Sequence, residues 1–218
     1  MKGLLIKDLK LLKSQRSFLV IVAALCLLFL FRGYSPVYVM SYASAMITIL
    51  TTTTVSYDEK DNGMNFIFTF PVSRRHYVLE KYVFGMLMMT VVTAAGAAAA
   101  MAFAAARPVT YDRSECVAGV FGALLASALL LALMLPVQLK FGSEKMRIVT
   151  LIMVGAVFFA AYVAKQLIGL LSIDFSGLAA RVQKAGMAEA IFCVLAAAAV
   201  ALGISYLVSI AVMRKKQF

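Results

Sequence analysis

The sequence has few of the residues that most often carry catalysis or bind metals. It contains one histidine and three cysteines among 218 residues. His76 has no second imidazole with which to share a metal, and no serine and carboxylate accompany it as a triad. Cys26, Cys116 and Cys193 lie in or beside apolar stretches without a C-x-x-C pair. We therefore expect neither a metal site nor a disulfide framework.

Two further features are missing, and both concern energy supply. No G-x-x-x-x-G-K-[ST] motif occurs, so the chain has no P-loop for ATP. The apolar stretches contain almost no ionisable side chain, apart from Lys165 near an edge, which argues against proton-coupled transport and intramembrane proteolysis. We expect that this chain is not an enzyme and that a partner supplies energy.

Apolar residues dominate the remaining composition. Hydrophobic residues make up 63% of the chain and charged residues 14%, which is far from the composition of a soluble domain. The net charge is +11, and the basic residues flank apolar runs of span length. This pattern favours the membrane surface over nucleic acid as a partner. The fold class is predicted to be an all-α membrane protein in one transmembrane domain.

Six spans are predicted along this domain. They cover about residues 17–34, 37–56, 82–106, 115–139, 148–164 and 189–213. An amphipathic interfacial helix at 1–15 precedes them, and 165–188 reads as an extracellular or re-entrant element. Asp8 falls in the apolar half of the first helix, where it must either reach water or pair with a base of the 57–81 loop.

The distribution of bases predicts the orientation. With six spans, segments on the side of the N-terminus carry 15 Lys and Arg residues, and the other side carries 6. Cytoplasmic loops are enriched in these residues. We expect both termini and the 57–81 loop to be cytoplasmic.

The 57–81 loop interrupts the apolar pattern with a short helix of its own. Apolar residues run from Met64 until Pro71 ends the helix. Met64, Ile67 and Phe68 share one helical face. A short apolar helix between two spans suits a groove on a partner, so this face is predicted to need a partner to bury it.

A second helix is predicted to begin directly after this short one. Ser73 is a suitable N-cap, with Val72 and Tyr77 at the positions of a hydrophobic staple. Arg74 and Arg75 then lie in the first turn, where they oppose the helix dipole. Contact with lipid phosphate or an acidic partner explains their charges better than helix stability does.

Hydroxyl side chains distinguish the second span. Ser44, Thr48, Thr51 and Thr54 can bond their own helix or a neighbour, or they can line a transport path. Small residues recur every four positions in two other spans, which allows close helix approach. Each stripe suits either the seam of a dimer or packing within the chain, and the sequence does not select between them. The two stripes are Gly96, Ala100 and Ala104, and Gly119, Ala123 and Ser127.

Three pieces of the chain resemble one family, the ABC-2 type permeases, which are membrane subunits of ATP-driven exporters. The pieces are MKGLLIKDLKLLK, FPVSRRHYVLEKY and LPVQLKFGSEKMR. Among such permeases, the layout is most like the subunits that export phenol-soluble modulins and similar amphipathic peptides. The short helix then corresponds to the coupling helix, with ATPase-docking residues Met64, Phe66, Ile67, Phe68, Phe70, Arg74 and Arg75.

The resemblance also implies partners and a location. It implies a permease dimer, with a second identical or related copy, in the plasma membrane of a bacterium. Two separate ABC ATPase subunits would hold the ATP and Mg, while this chain holds no cofactor and contacts lipid and a peptide substrate. The alternatives are a drug or antibiotic exporter permease and a non-transporting immunity or scaffold protein.

Overall fold

A computed structural model describes residues 2–60, 63–106, 116–117, 119–142 and 187–216. Within these ranges the regular structure is entirely helical, as predicted, and contains no strand. The helices are α1 (Lys2–Ser14), α2 (Arg16–Phe31), α3 (Pro36–Glu59), α4 (Gly63–Thr69), α5 (Arg74–Ala106), α6 (Gly119–Gly142) and α7 (Met187–Lys215).

Three of the described helices are long and apolar enough to cross a membrane, namely α5, α6 and α7. A fourth span is counted only if α1 and α2, which meet at a 67° bend, act as one broken span. The hydroxyl-rich α3 is about 36 Å long at 1.5 Å per residue, but it does not reach the same apolarity. The predicted span at 148–164 and most of the 165–188 element lie outside the described residues.

Helix caps explain two of the boundaries. Ser35 precedes α3, where its hydroxyl accepts from the Val37 N–H at 3.4 Å and Pro36 occupies the first helical position. Ser73 caps α5 as predicted, because its hydroxyl accepts from the His76 N–H at 3.3 Å. The helix that contains the third predicted span therefore begins at Arg74, eight residues before the predicted start of the span.

Small residues let α5 and α6 pack closely against α3. A methyl group on Gly119 would lie 2.7 Å from Val37 Cγ2, and one on Gly96 would lie 3.5 Å from Met40 Cγ. A buried cluster formed by Met40, Ala100 and Ala123 joins the same three helices. Gly96, Ala100, Gly119 and Ala123 therefore take part in packing within the chain, and a role of either stripe in a dimer seam stays a prediction.

The largest core cluster lies at the end of the bundle where α4 is attached, which we call the α4 end. Its buried members come from α3, α4, α5, α6 and α7. We call this set the junction cluster: Val55, Met64, Tyr77, Val78, Tyr82, Leu131, Leu135, Leu139 and Met213. A second cluster packs α1 against α3 and α5 through Leu12, Ile47, Leu50 and Phe84.

Candidate functional site

The short helix α4 has one face buried against its own chain. Met64 is 3% exposed and belongs to the junction cluster, and Ile67 and Phe68 pack against that cluster. The Phe68 ring meets the Tyr77 ring edge to face, with 5.9 Å between centroids. The chain itself therefore buries Met64 and covers part of Ile67 and Phe68. Docking of an ATPase on these three residues stays a prediction.

The opposite face of α4 presents two aromatic rings. Phe66 is 67% exposed and Phe70, directly after the helix, is 53% exposed. The two rings meet edge to face with their centroids 5.3 Å apart, so they form one continuous apolar surface. Helical periodicity alone could not select this face, because apolar residues occupy both sides of the helix.

Arg74 and Arg75 differ in their surroundings although they are adjacent. Arg74 Nη1 donates to the carbonyl oxygens of Met213 and Arg214, each at 3.0 Å, at the C-terminal end of α7. Arg75 is exposed. Capping of α7 thus accounts for the charge of Arg74, because the last carbonyls of a helix lack partners within it and carry partial negative charge.

A buried ionic cluster joins α1, the end of α3 and the start of α5. Lys81 Nζ lies 2.5 Å from Asp8 Oδ2 and 2.8 Å from Asp58 Oδ2, and all three side chains are at most 4% exposed. Lys7 also pairs with Asp58, and the Tyr77 hydroxyl donates to Asp58 Oδ2 at 2.9 Å. Asp8 therefore takes the second predicted alternative, since it pairs with a base of the 57–81 loop.

The charge of Asp58 depends on these neighbours. Burial alone raises the pKa of a carboxyl group, but Lys81 and Lys7 outweigh burial and hold the pKa of Asp58 below its usual value. The ionised form is therefore favoured by folding. Its contribution to stability is present above the pKa of an unfolded aspartate, about 3.9. It is lost as pH falls through the lower pKa of the folded state.

One carboxylate near this cluster has no hydrogen bond within the described part of the chain. Glu80 is 1% exposed, and neither of its carboxylate oxygens has a donor there. Lys81 lies nearby, with 4.0 Å between its Nζ and Glu80 Oε2. Sequence reasoning did not single out Glu80, Lys81 or Asp58, because only the fold shows that these loop charges are enclosed.

Ser44, Thr48, Thr51 and Thr54 of α3 are buried, and the three threonine hydroxyls donate to their own helix. Thr48 donates to the Ser44 carbonyl, Thr51 to the Thr48 carbonyl and Thr54 to the Thr51 carbonyl, each at 2.8 Å. The Thr54 hydroxyl also accepts from Lys81 Nζ at 3.0 Å, so it belongs to the ionic cluster. The role predicted for Ser44, Thr48, Thr51 and Thr54 in a substrate path stays a prediction.

An apolar cavity of about 370 Å³ lies between α2, α3 and α5. Residues that line it include Cys26, Leu27, Ala43, Ile47, Val92 and Gly96. Among the described residues, no group of three or more His, Cys, Asp or Glu side chains is arranged to hold a metal ion. The geometry at the α4 end thus consists of apolar packing, two exposed aromatic rings and ionic contacts.

Comparison with known proteins places this arrangement in a family. The profile of the ABC-2 family transporter proteins matches residues 3–214, which is nearly the whole chain. No curated protein and no solved structure matches the chain. Because the match spans the membrane helices and the segment around α4 alike, the chain belongs to the ABC-2 transporter family, the membrane subunits that work with an ABC ATPase.

Proposed function

We propose that this chain is the permease subunit of an ABC exporter and that α4 is its coupling helix. One observation carries the proposal: α4 buries Met64 among four other helices while it exposes Phe66 and Phe70. A helix that is packed in this way can transmit a displacement from a bound partner to the helices of the bundle. Two ATPase subunits, which bind the ATP and Mg, serve a dimer of this permease with an identical or related copy.

Packing of α4 against the junction cluster is what makes it suitable for coupling. Fully burying a side chain such as Met64 contributes about 1.5–3 kcal/mol. Seven residues form too short a helix to be stable alone, so this packing holds α4 in place. The exposed rings of Phe66 and Phe70 are aromatic anchors of the kind that often dominate binding energy at interfaces.

Replacing the two exposed rings tests this docking role. In Phe66→Ala with Phe70→Ala, we expect the permease to reach the membrane and remain monodisperse but to lose its ATPase on co-purification. Truncation of an aromatic anchor typically costs about 2 kcal/mol or more, which is about 30-fold in affinity. Titration of the purified ATPase against permease in nanodiscs measures this change.

Two further variants distinguish docking from folding. Phe192 is 74% exposed on α7, so Phe192→Ala removes an equally exposed ring and should leave ATPase affinity unchanged. Phe68→Ala removes a ring that packs on Tyr77, so it should lower the stability of the permease itself. Unchanged ATPase affinity in the Phe66 and Phe70 double variant would reject α4 as the docking element.

We propose amphipathic peptides as the exported cargo, entering from the membrane with both termini of the permease in the bacterial cytoplasm. The apolar cavity between α2, α3 and α5 supports this substrate class, because it suits the apolar face of a helix that lies in the headgroup region. Small lipophilic drugs are the alternative cargo, and the scaffold alternative predicts no ATPase partner at all.

A further inference from the structure

The C-terminal end of α7 is held at several points, whereas much of the helix is exposed. Along its length, Val200 is 62% and Leu207 is 66% exposed within the described part of the chain. At its end, Met213 is fully buried in the junction cluster together with Met64 of α4. The end of the last helix is therefore packed into the same core that holds α4.

Arg74 provides the first polar attachment. It is the first residue of α5, five positions after the end of α4, and its guanidinium bonds two carbonyls of the last turn of α7. Bonds from a cation to helix C-terminal carbonyls satisfy groups that the helix itself leaves free. Both carbonyls accept from Arg74 Nη1, which carries two N–H groups and can therefore donate to both.

Glu59 provides the second attachment, from the other side of α4. It is the last residue of α3 and forms an ion pair with Lys216, directly after α7. Lys216 Nζ also donates to the Leu139 carbonyl of α6 at 3.2 Å. Gly142 leaves space for the Glu59 carboxylate, since a methyl group at position 142 would lie 2.9 Å from Glu59 Oε2.

We propose that Arg74 and Glu59 are positioning residues that fasten α7 to both flanks of α4, so that a displacement of α4 moves the last span. This inference rests on the proposed docking of the ATPase on α4. Coupling between distant sites needs a contiguous physical connection, and here it consists of two polar attachments with Met213 between them. Ser209 lies about one turn before Met213 on α7. Its hydrogen bond with the Tyr82 hydroxyl, at 2.9 Å, holds α7 against α5.

Spin-label distances in the intact permease–ATPase complex test the fastening. Labels at Leu207 on α7 and Val20 on α2, both exposed, are placed in a variant whose three cysteines are replaced. We expect the distance distribution to shift when a non-hydrolysable ATP analogue and Mg are added. Arg74→Gln and Lys216→Gln should each reduce this shift, and together they should reduce it further, while Met213 stays packed in the junction cluster.

The matched control is Arg214→Gln, which removes an exposed cation from the same turn but keeps its carbonyl oxygen for Arg74. Its shift should equal that of the unaltered chain. Lys216→Gln changes a residue beyond the last helix, so it provides a variant that keeps the core intact if Arg74→Gln does not fold.

The outcomes separate this inference from the proposed function. A full shift in both Arg74→Gln and Lys216→Gln, or no shift in the unaltered complex, would overturn the fastening while docking stands. Loss of the ATPase from Arg74→Gln would also overturn it, because Arg74 would then act in docking. Retention of the ATPase by the Phe66 and Phe70 double variant would reject the docking site, and with it the premise that α4 receives the displacement that Arg74 and Glu59 pass to α7.

Discussion

At the scale of single residues, Lys81 lies between carboxylates that come from two other helices. Asp8 belongs to α1 and Asp58 to α3, and both lie within 3 Å of its ammonium group. Buried ion pairs contribute little net stability compared with a hydrophobic replacement of all members, but removal of one member leaves buried charges uncompensated. Lys81 therefore fixes where α1 sits against α3 and α5.

Lys81→Met is expected to destabilise the permease strongly. Among the described residues, it leaves two buried carboxylates with the partly exposed Lys7 as their one cation, and breaking such a cluster typically costs about 3–5 kcal/mol. Thermal unfolding followed by a thiol-reactive dye measures the loss. Lys60→Met, at an exposed position, is the control and should unfold at the temperature of the unaltered chain. Equal unfolding temperatures for both variants would show that the cluster does not hold α1.

Residue chemistry predicted part of this cluster. A carboxylate at position 8 on an apolar helix face requires either water or a cation, and the loop that supplies the cation was identified from its composition. The choice between water and Lys81 depends on burial. Burial is set by how α1 packs on α3 and α5, which local sequence does not encode.

At the scale of elements, the close packing of α6 against α3 depends on a glycine, which has no side chain. Gly119 is buried against Val37, whereas a methyl group on Gly122, less than one turn later, would meet nothing within 4 Å. Both glycines lie on the same apolar helix and have the same intrinsic cost in a helix. The pair therefore separates packing from helix propensity.

Gly119→Leu is expected to lower stability by about 1–3 kcal/mol through overpacking against Val37. Gly122→Leu should leave stability unchanged or raise it by up to about 1 kcal/mol. The position is exposed, and leucine is a better helix former than glycine. Thermal unfolding of the two variants in the same detergent makes the comparison. A Gly119→Leu variant as stable as Gly122→Leu would show that α6 does not pack on α3 through this glycine.

At the scale of the whole molecule, the proposed peptide cargo can be tested with the reconstituted permease–ATPase complex. We expect a helical amphipathic peptide to stimulate ATP hydrolysis more than a scrambled peptide of equal charge does. Ala99 lines the apolar cavity, so Ala99→Phe should lower the ratio of stimulated to basal hydrolysis. Ala98→Phe, exposed on the same helix and outside the cavity lining, should keep the ratio.

Two results would contradict the peptide assignment. Equal stimulation by the amphipathic and scrambled peptides would remove the case for recognition of an apolar helix face. Stimulation by small lipophilic drugs without any response to peptide would instead assign the complex to drug or antibiotic export. The proposed docking of an ATPase on α4 would be unaffected in either case, because it is argued from the exposure of Phe66 and Phe70.

The sequence by itself determined the helical membrane class, the short helix after the second predicted span and the cap at Ser73. Each follows from local chemistry: apolar length, a proline after a short apolar run, and a hydroxyl that accepts from a free N–H. Only the tertiary structure decided which face of α4 is exposed, that Arg74 caps α7 and that Gly96 and Gly119 pack against α3. These outcomes depend on contacts between residues far apart in sequence, and periodicity along one helix contains no information about its neighbour.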